Sequence, residues 1–149
     1  MELIVVSGES GSGKTELSKR ICAHLREYEY KNVGDLLAAS LQEPVQRNEI
    51  GPKFLAKYGI EGYCRAIVVA ATANSVFDGI RLVSGVESLR AAGHRVFHVH
   101  RSRHGENDDP FAHDSVRLAE LADMRIAWVD PISELDLVVE REIVTRCRR

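Results

Sequence analysis

The chain has 149 residues, 44% of them hydrophobic and 28% charged, with a formal net charge of −2, which suits one domain with its own core and gives no electrostatic footprint for general nucleic-acid binding. Cys22, Cys64 and Cys147 have neither metal-ligand nor redox spacing, no apolar run approaches a membrane span, and the first strand begins too early to leave room for a cleavable leader. The expectation is a cytoplasmic protein, a single domain over residues 1–149, with no nucleic-acid and no membrane partner.

Leu3 to Val6 is a short apolar, β-branched run and reads as a buried strand. Gly8-Glu9-Ser10-Gly11-Ser12-Gly13-Lys14-Thr15 follows and fits G-x-x-x-x-G-K-[ST], the phosphate-binding P-loop. Its glycines free the backbone to turn successive N–H groups inward, so that Gly8, Ser10, Gly11, Ser12 and Gly13 form an anion-binding nest. The following helix points its positive dipole end at the same place. Lys14 is expected to reach the β- and γ-phosphates, and the Thr15 hydroxyl to bind Mg²⁺.

Leu17, Ile21, Leu25 and Tyr28 recur at helical spacing. Glu29 to Val33 reads as a second strand ending at Gly34-Asp35, and Leu36 to Glu43 as a helix stopped by Pro44. Ile50, Phe54, Leu55 and Tyr58 form an apolar stripe closed by Gly59, and Ile60, Cys64, Ile67, Val68 and Ala71 form another helix. Ser75 to Asp78 is a third strand ending in an acid. Ser84 and Glu87 have capping-box spacing, so a helix is expected from Ser84 to Ala92, stopped by Gly93. Arg95 to His100 alternates as a fourth strand, Arg101 to Pro110 is a polar loop, and Phe111 to Ala122 is helical. Met124 to Val129 is a fifth strand, Asp130-Pro131 turns the chain, and Ser133 caps a last helix carrying Leu135, Val138, Val139 and Ile143. Strands alternating with helices give an α/β fold, a parallel sheet covered on both faces. Ligands in such sheets bind beyond the carboxyl ends of the strands, where Gly8, Asp35 and Asp78 fall.

Asp78, at a buried strand end beside the P-loop, is the acid expected to serve Mg²⁺. Arg81, three residues on, either stabilises phosphate charge or is a surface arginine. Asp35 either accepts a proton from an attacking hydroxyl or caps the helix beginning at Leu36, and the two roles are compatible. Arg47 falls where the chain would wall an acceptor pocket, and either binds an anion there or is solvated. His98 and His100 share a strand face with other histidines nearby, but no cysteine or carboxylate completes a transition-metal set. Arg101 and Arg103 follow the fourth strand and either reach over the triphosphate or lie in a solvated loop.

The P-loop, Val33-Gly34-Asp35-Leu36-Leu37, Arg47 followed by Ile50-Gly51 and Tyr58-Gly59, and above all Phe77-Asp78-Gly79-Ile80-Arg81 resemble the nucleoside monophosphate kinase and dephospho-CoA kinase type of P-loop kinase. Asp109-Pro110-Phe111, and Ala122-Asp123 before a strand, are similar to the same group. The resemblance implies five parallel strands in the order 2-3-1-4-5, ATP with Mg²⁺, and a nucleotide- or nucleoside-like small-molecule acceptor. It implies that Asp35 contacts or deprotonates the acceptor, that Arg47 and Arg81 hold acceptor or transferred phosphate, that Asp78 serves the metal, and that Pro131 and Ile132 flank the adenine. Such kinases carry an arginine-bearing lid helix, here reduced to Arg101 through Pro110. The reduced lid implies an open, slow site or one completed by a neighbouring subunit, as in a homodimer. A P-loop NTPase acting as a nucleotide-dependent switch is the alternative function.

Overall fold

The computed structural model describes residues 2–8, 12–101, 112–126 and 132–148, without the side chains of 112–115 and 132. Five strands, β1 (Glu2–Gly8), β2 (Glu29–Asn32), β3 (Ser75–Asp78), β4 (Arg95–Arg101) and β5 (Met124–Ile126), form one sheet in the order β2-β3-β1-β4-β5. Every pairing is parallel. This is the order and the α/β class that the sequence implies. β1 sits in the middle because it is apolar on both faces: Leu3, Ile4, Val5 and Val6 are all fully buried.

The two faces are covered by different helices. Ile4, Val6, Val76, Phe97 and Val99 pack against Leu17 and Ile21 of α1 (Lys14–His24) and against Leu135, Val139 and Ile143 of the C-terminal helix. That helix starts as α6 (Ile132–Val138), widens to a π-helical segment (Val139–Val144) and ends in one α turn (Thr145–Cys147). On the other face Leu3, Val5 and Phe77 pack against α2 (Val33–Leu41), α3 (Ile50–Ala70), α4 (Val83–Ala91) and Leu118 of α5 (Ala112–Leu121).

Several boundaries differ from the sequence reading. Val33 is the first residue of α2 rather than the last of β2, because the Asn32 side chain caps the helix by accepting from the Asp35 backbone N–H at 2.9 Å. Asp35 therefore lies in the first turn of α2, not at a strand end, and it is Asn32 that caps. Gly59, by contrast, does close one helix and open the next as the two apolar stripes imply: its φ 70° and ψ −179°, a conformation that favours glycine, breaks the run from Ile50 to Ala70. The capping box at Ser84 is not formed: α4 begins at Val83 with Leu82 at the N-cap, both buried in the core, and the helix has no side-chain cap. Ser133 lies inside the first turn of α6 rather than before it.

Candidate active site

β1 ends at Gly8 and α1 begins at Lys14, so the P-loop spans the carboxyl edge of the central strand. Two features force the loop tight. A side chain at Gly8 would place Cβ 2.6 Å from the Arg101 carbonyl oxygen and 2.6 Å from Ser12 Oγ. Gly13, the N-cap of α1, has φ 83°. Lys14 is 8% exposed, within a wall that also carries Thr15, Asp78 and Arg81. Arg101, at the end of β4, is 2% exposed, and its Nε donates to the Ser12 carbonyl at 3.2 Å. Burial pulls the Arg101 pKa below the ordinary arginine value. Ser10, Gly11, Arg103 and Pro131 lie outside the described residues.

Asp78 is fully buried. Its Oδ2 accepts from Thr15 Oγ1 at 2.6 Å, from the Tyr30 hydroxyl at 2.9 Å and from Asn32 Nδ2 at 3.2 Å. Its Oδ1 is buried with no hydrogen-bond partner among the described residues. A buried carboxylate oxygen without a donor is costly, and a cation or its bound water next to Thr15 supplies what Oδ1 lacks. The donor set thus fits Mg²⁺, a hard cation that takes oxygen ligands and keeps several waters. Among the described residues no group of three His, Cys, Asp or Glu gathers as a metal site.

Beyond Asp78 opens a pocket of about 360 Å³. Lys14, Thr15, Asn32, Gly34, Arg47, Asn48, Pro52, Tyr63, Asp78 and Arg81 line it. The structure thus brings Lys14, Thr15, Asp78, Arg81 and Arg47 to one cavity. Asp35 is not on its wall. Its side chain is 71% exposed and pairs with Arg47, Nη1 to Oδ1 at 3.3 Å, while Arg47 Nη2 donates to Asn32 Oδ1 at 3.2 Å. Because α2 begins at Val33 rather than Leu36, Asp35 falls in its first turn and faces outward.

Tyr30 and Asn32 escaped the sequence reading. Burial and, second, the Asp78 charge push the Tyr30 phenol up to about 12, so it stays a donor. The available signal was their period-two spacing on β2, which puts both on one face. Among the described residues His98 and His100 belong to no group of metal ligands. Both are buried and bracket the Ser7 hydroxyl, Nε2 of His98 at 2.7 Å and Nδ1 of His100 at 2.8 Å. Among the described residues no helix is long and apolar enough to cross a membrane.

No protein-family profile matches the chain, and no curated protein sequence matches it. Solved structures do. Shikimate kinase from Aquifex aeolicus aligns with a TM-score of 0.64 at 13% identity, covering 97% of this chain and 98% of that one. Shikimate kinase from Acinetobacter baumannii, in complex with shikimate, gives 0.64 at 13% over 100% and 96%. APS kinase CysC from Mycobacterium tuberculosis, in complex with AMPPNP and APS, gives 0.56 at 15% over 99% and 98%. What the chain shares with these proteins along nearly its whole length is the P-loop kinase fold.

Proposed function

We propose that the chain is an ATP-dependent phosphotransferase, a small-molecule kinase that passes the γ-phosphate to a hydroxyl or phosphate of a nucleotide- or nucleoside-like metabolite. One observation carries the reading: the cavity that begins at Lys14 and Thr15 continues past Asp78 to Arg47 and Arg81. A nucleotide-dependent switch needs a phosphate site but no such second compartment. The likeness to kinases of shikimate and APS supports the transfer chemistry. The resemblance to nucleoside monophosphate and dephospho-CoA kinases supports the acceptor class.

In this reading the P-loop backbone from Gly8 to Gly13 and the Lys14 ammonium cradle the β- and γ-phosphates, and buried Arg101 fixes the loop through Ser12. Thr15 and Asp78 would hold Mg²⁺, which when bound neutralises charge on the β- and γ-oxygens. Arg81 and Arg47 flank the acceptor's side of the cavity and hold its anionic group or the moving phosphoryl oxygens. Catalysis comes from positioning and charge stabilisation, not from covalent chemistry. For Asp35, deprotonating the acceptor requires that Arg47 release it, whereas acting on the acceptor through Arg47 does not; we propose the second role. Pro131 is proposed beside the adenine.

The test is ADP release from Mg²⁺-ATP with a panel of nucleosides, nucleoside monophosphates and dephospho-CoA. Release that rises at least tenfold with one acceptor class, together with recovery of the phosphorylated acceptor, is the expected outcome. Slow ATP hydrolysis indifferent to every acceptor would favour the switch.

A further inference from the structure

The Asp78 carboxylate is held asymmetrically. Three donors, Thr15 Oγ1, Tyr30 OH and Asn32 Nδ2, converge on Oδ2, while Oδ1 is buried with none among the described residues. We infer that Tyr30 and Asn32 are positioning residues that clamp one oxygen of Asp78 so that the other is presented to a divalent cation, directly or through its water. The inference rests on the reading that Thr15 and Asp78 hold that cation.

The clamp is a product of the sheet. In the β2–β3 register Asn32 lies opposite Asp78 and Tyr30 opposite Val76. Side chains two apart on β2 point to the face covered by α1, the face from which Thr15 approaches. Lys19 of α1 stands 5.8 Å from the centre of the Tyr30 ring and packs that ring in place. Three donors more than fill the lone pairs of one carboxylate oxygen, so the carboxylate plane cannot turn without losing them. Asn32 has its orientation fixed from the other end. Its Oδ1 accepts from the Asp35 N–H and from Arg47 Nη2, which leaves Nδ2 facing Asp78. One amide therefore ties the arginine at the pocket mouth to the carboxylate at its floor.

Groups that orient a metal ligand typically change metal affinity by about 10- to 100-fold when removed. Tyr30→Phe keeps the ring over Lys19 and deletes only the hydroxyl. The experiment uses the full chain with AMPPNP and Mn²⁺ as the probe, with free Mn²⁺ read by electron paramagnetic resonance. Tyr30→Phe should weaken Mn²⁺ binding to the nucleotide complex about tenfold. Metal-free nucleotide affinity should stay within about twofold, because the hydroxyl touches no phosphate site. In an Asp78→Asn background the same change should add almost nothing, since the residue acts through Asp78. Unchanged Mn²⁺ affinity in Tyr30→Phe, while Asp78→Asn weakens it, overturns the positioning role alone. An equal effect in both backgrounds overturns it too. If Asp78→Asn and Tyr30→Phe are both inert, the cation assignment falls with it.

Discussion

The Ser7, His98 and His100 cluster gives the chain an acid-labile core. His98 is fully buried and His100 is 2% exposed. Burial first, then the like charge of His100 and Arg90, outweigh the attraction of Asp123 and lower the His98 pKa from 6.5 to about 4. Burial, Arg125 and Lys14 lower that of His100 from 6.5 to about 4. Both rings are neutral in the folded chain at pH 7, and each shares a hydrogen bond with the Ser7 hydroxyl. As pH falls through 6.5 the unfolded chain binds protons that the folded chain refuses, so stability falls, and the loss is complete only below pH 4. Moving from pH 7 to pH 5 costs about 2 kcal/mol for each ring. Set against a total stability of about 5–15 kcal/mol, that is a large share. The window lies above the ordinary carboxylate range, so the histidines dominate it. Urea unfolding at pH 7 and pH 5 measures the difference, and His98→Gln with His100→Gln should flatten it even though the double variant is less stable at pH 7. A wild-type loss below about 0.5 kcal/mol, or an undiminished loss in the double variant, would refute the argument.

Lys14→Ala should slow phosphoryl transfer by at least about 100-fold while far-ultraviolet circular dichroism stays native, because the ammonium neutralises charge that grows in the transition state; near-normal turnover would sink the P-loop assignment. Gly8→Ala should cost about 1–3 kcal/mol in chemical denaturation and weaken nucleotide binding, since Cβ meets the Arg101 carbonyl at 2.6 Å; an unchanged midpoint would contradict that packing. Asp35→Asn removes an exposed ion pair worth at most about 1 kcal/mol. Steady-state kinetics should show the acceptor KM rising with kcat nearly kept, whereas a fall in kcat of about 100-fold or more would restore Asp35 as the proton acceptor.

The sheet was legible because its strands carry their own signal. Leu3 to Val6 and Ser75 to Asp78 are buried without a break, so each reads as a strand from composition alone. β2 was weaker. It is an edge strand with no fully buried residue, and its true end is set by a side-chain cap rather than by its apolar pattern. Val33 illustrates the conflict: a β-branched residue after a strand extends the pattern, yet it is 1% exposed as the first residue of α2. The π-helical widening at Val139–Val144 left no mark in the spacing of Leu135, Val139 and Ile143, because those residues keep one face in the core either way.

Site residues divide by how far their partners lie along the chain. The P-loop is contiguous, so its chemistry is written in eight neighbouring positions, and Asp78 announces itself as an acid closing an apolar strand. Tyr30 and Asn32 acquire meaning only from the β2–β3 register, which pairs residues 46 apart and which no local pattern reports. Asp35 shows the reverse error. Its neighbourhood suggested a strand end aimed at the γ-phosphate, but a residue in the first turn of a helix points wherever the cap sets it, here toward Arg47. The carboxylate that the fold does deliver to the cavity is Asp78, so the kinase reading needs only that Asp35 hold Arg47 while Asp78 serves the cation. Separating the two carboxylates in this way also keeps two negative charges from sharing one low-dielectric site with a triphosphate, an arrangement that would raise the pKa of one of them and weaken nucleotide binding.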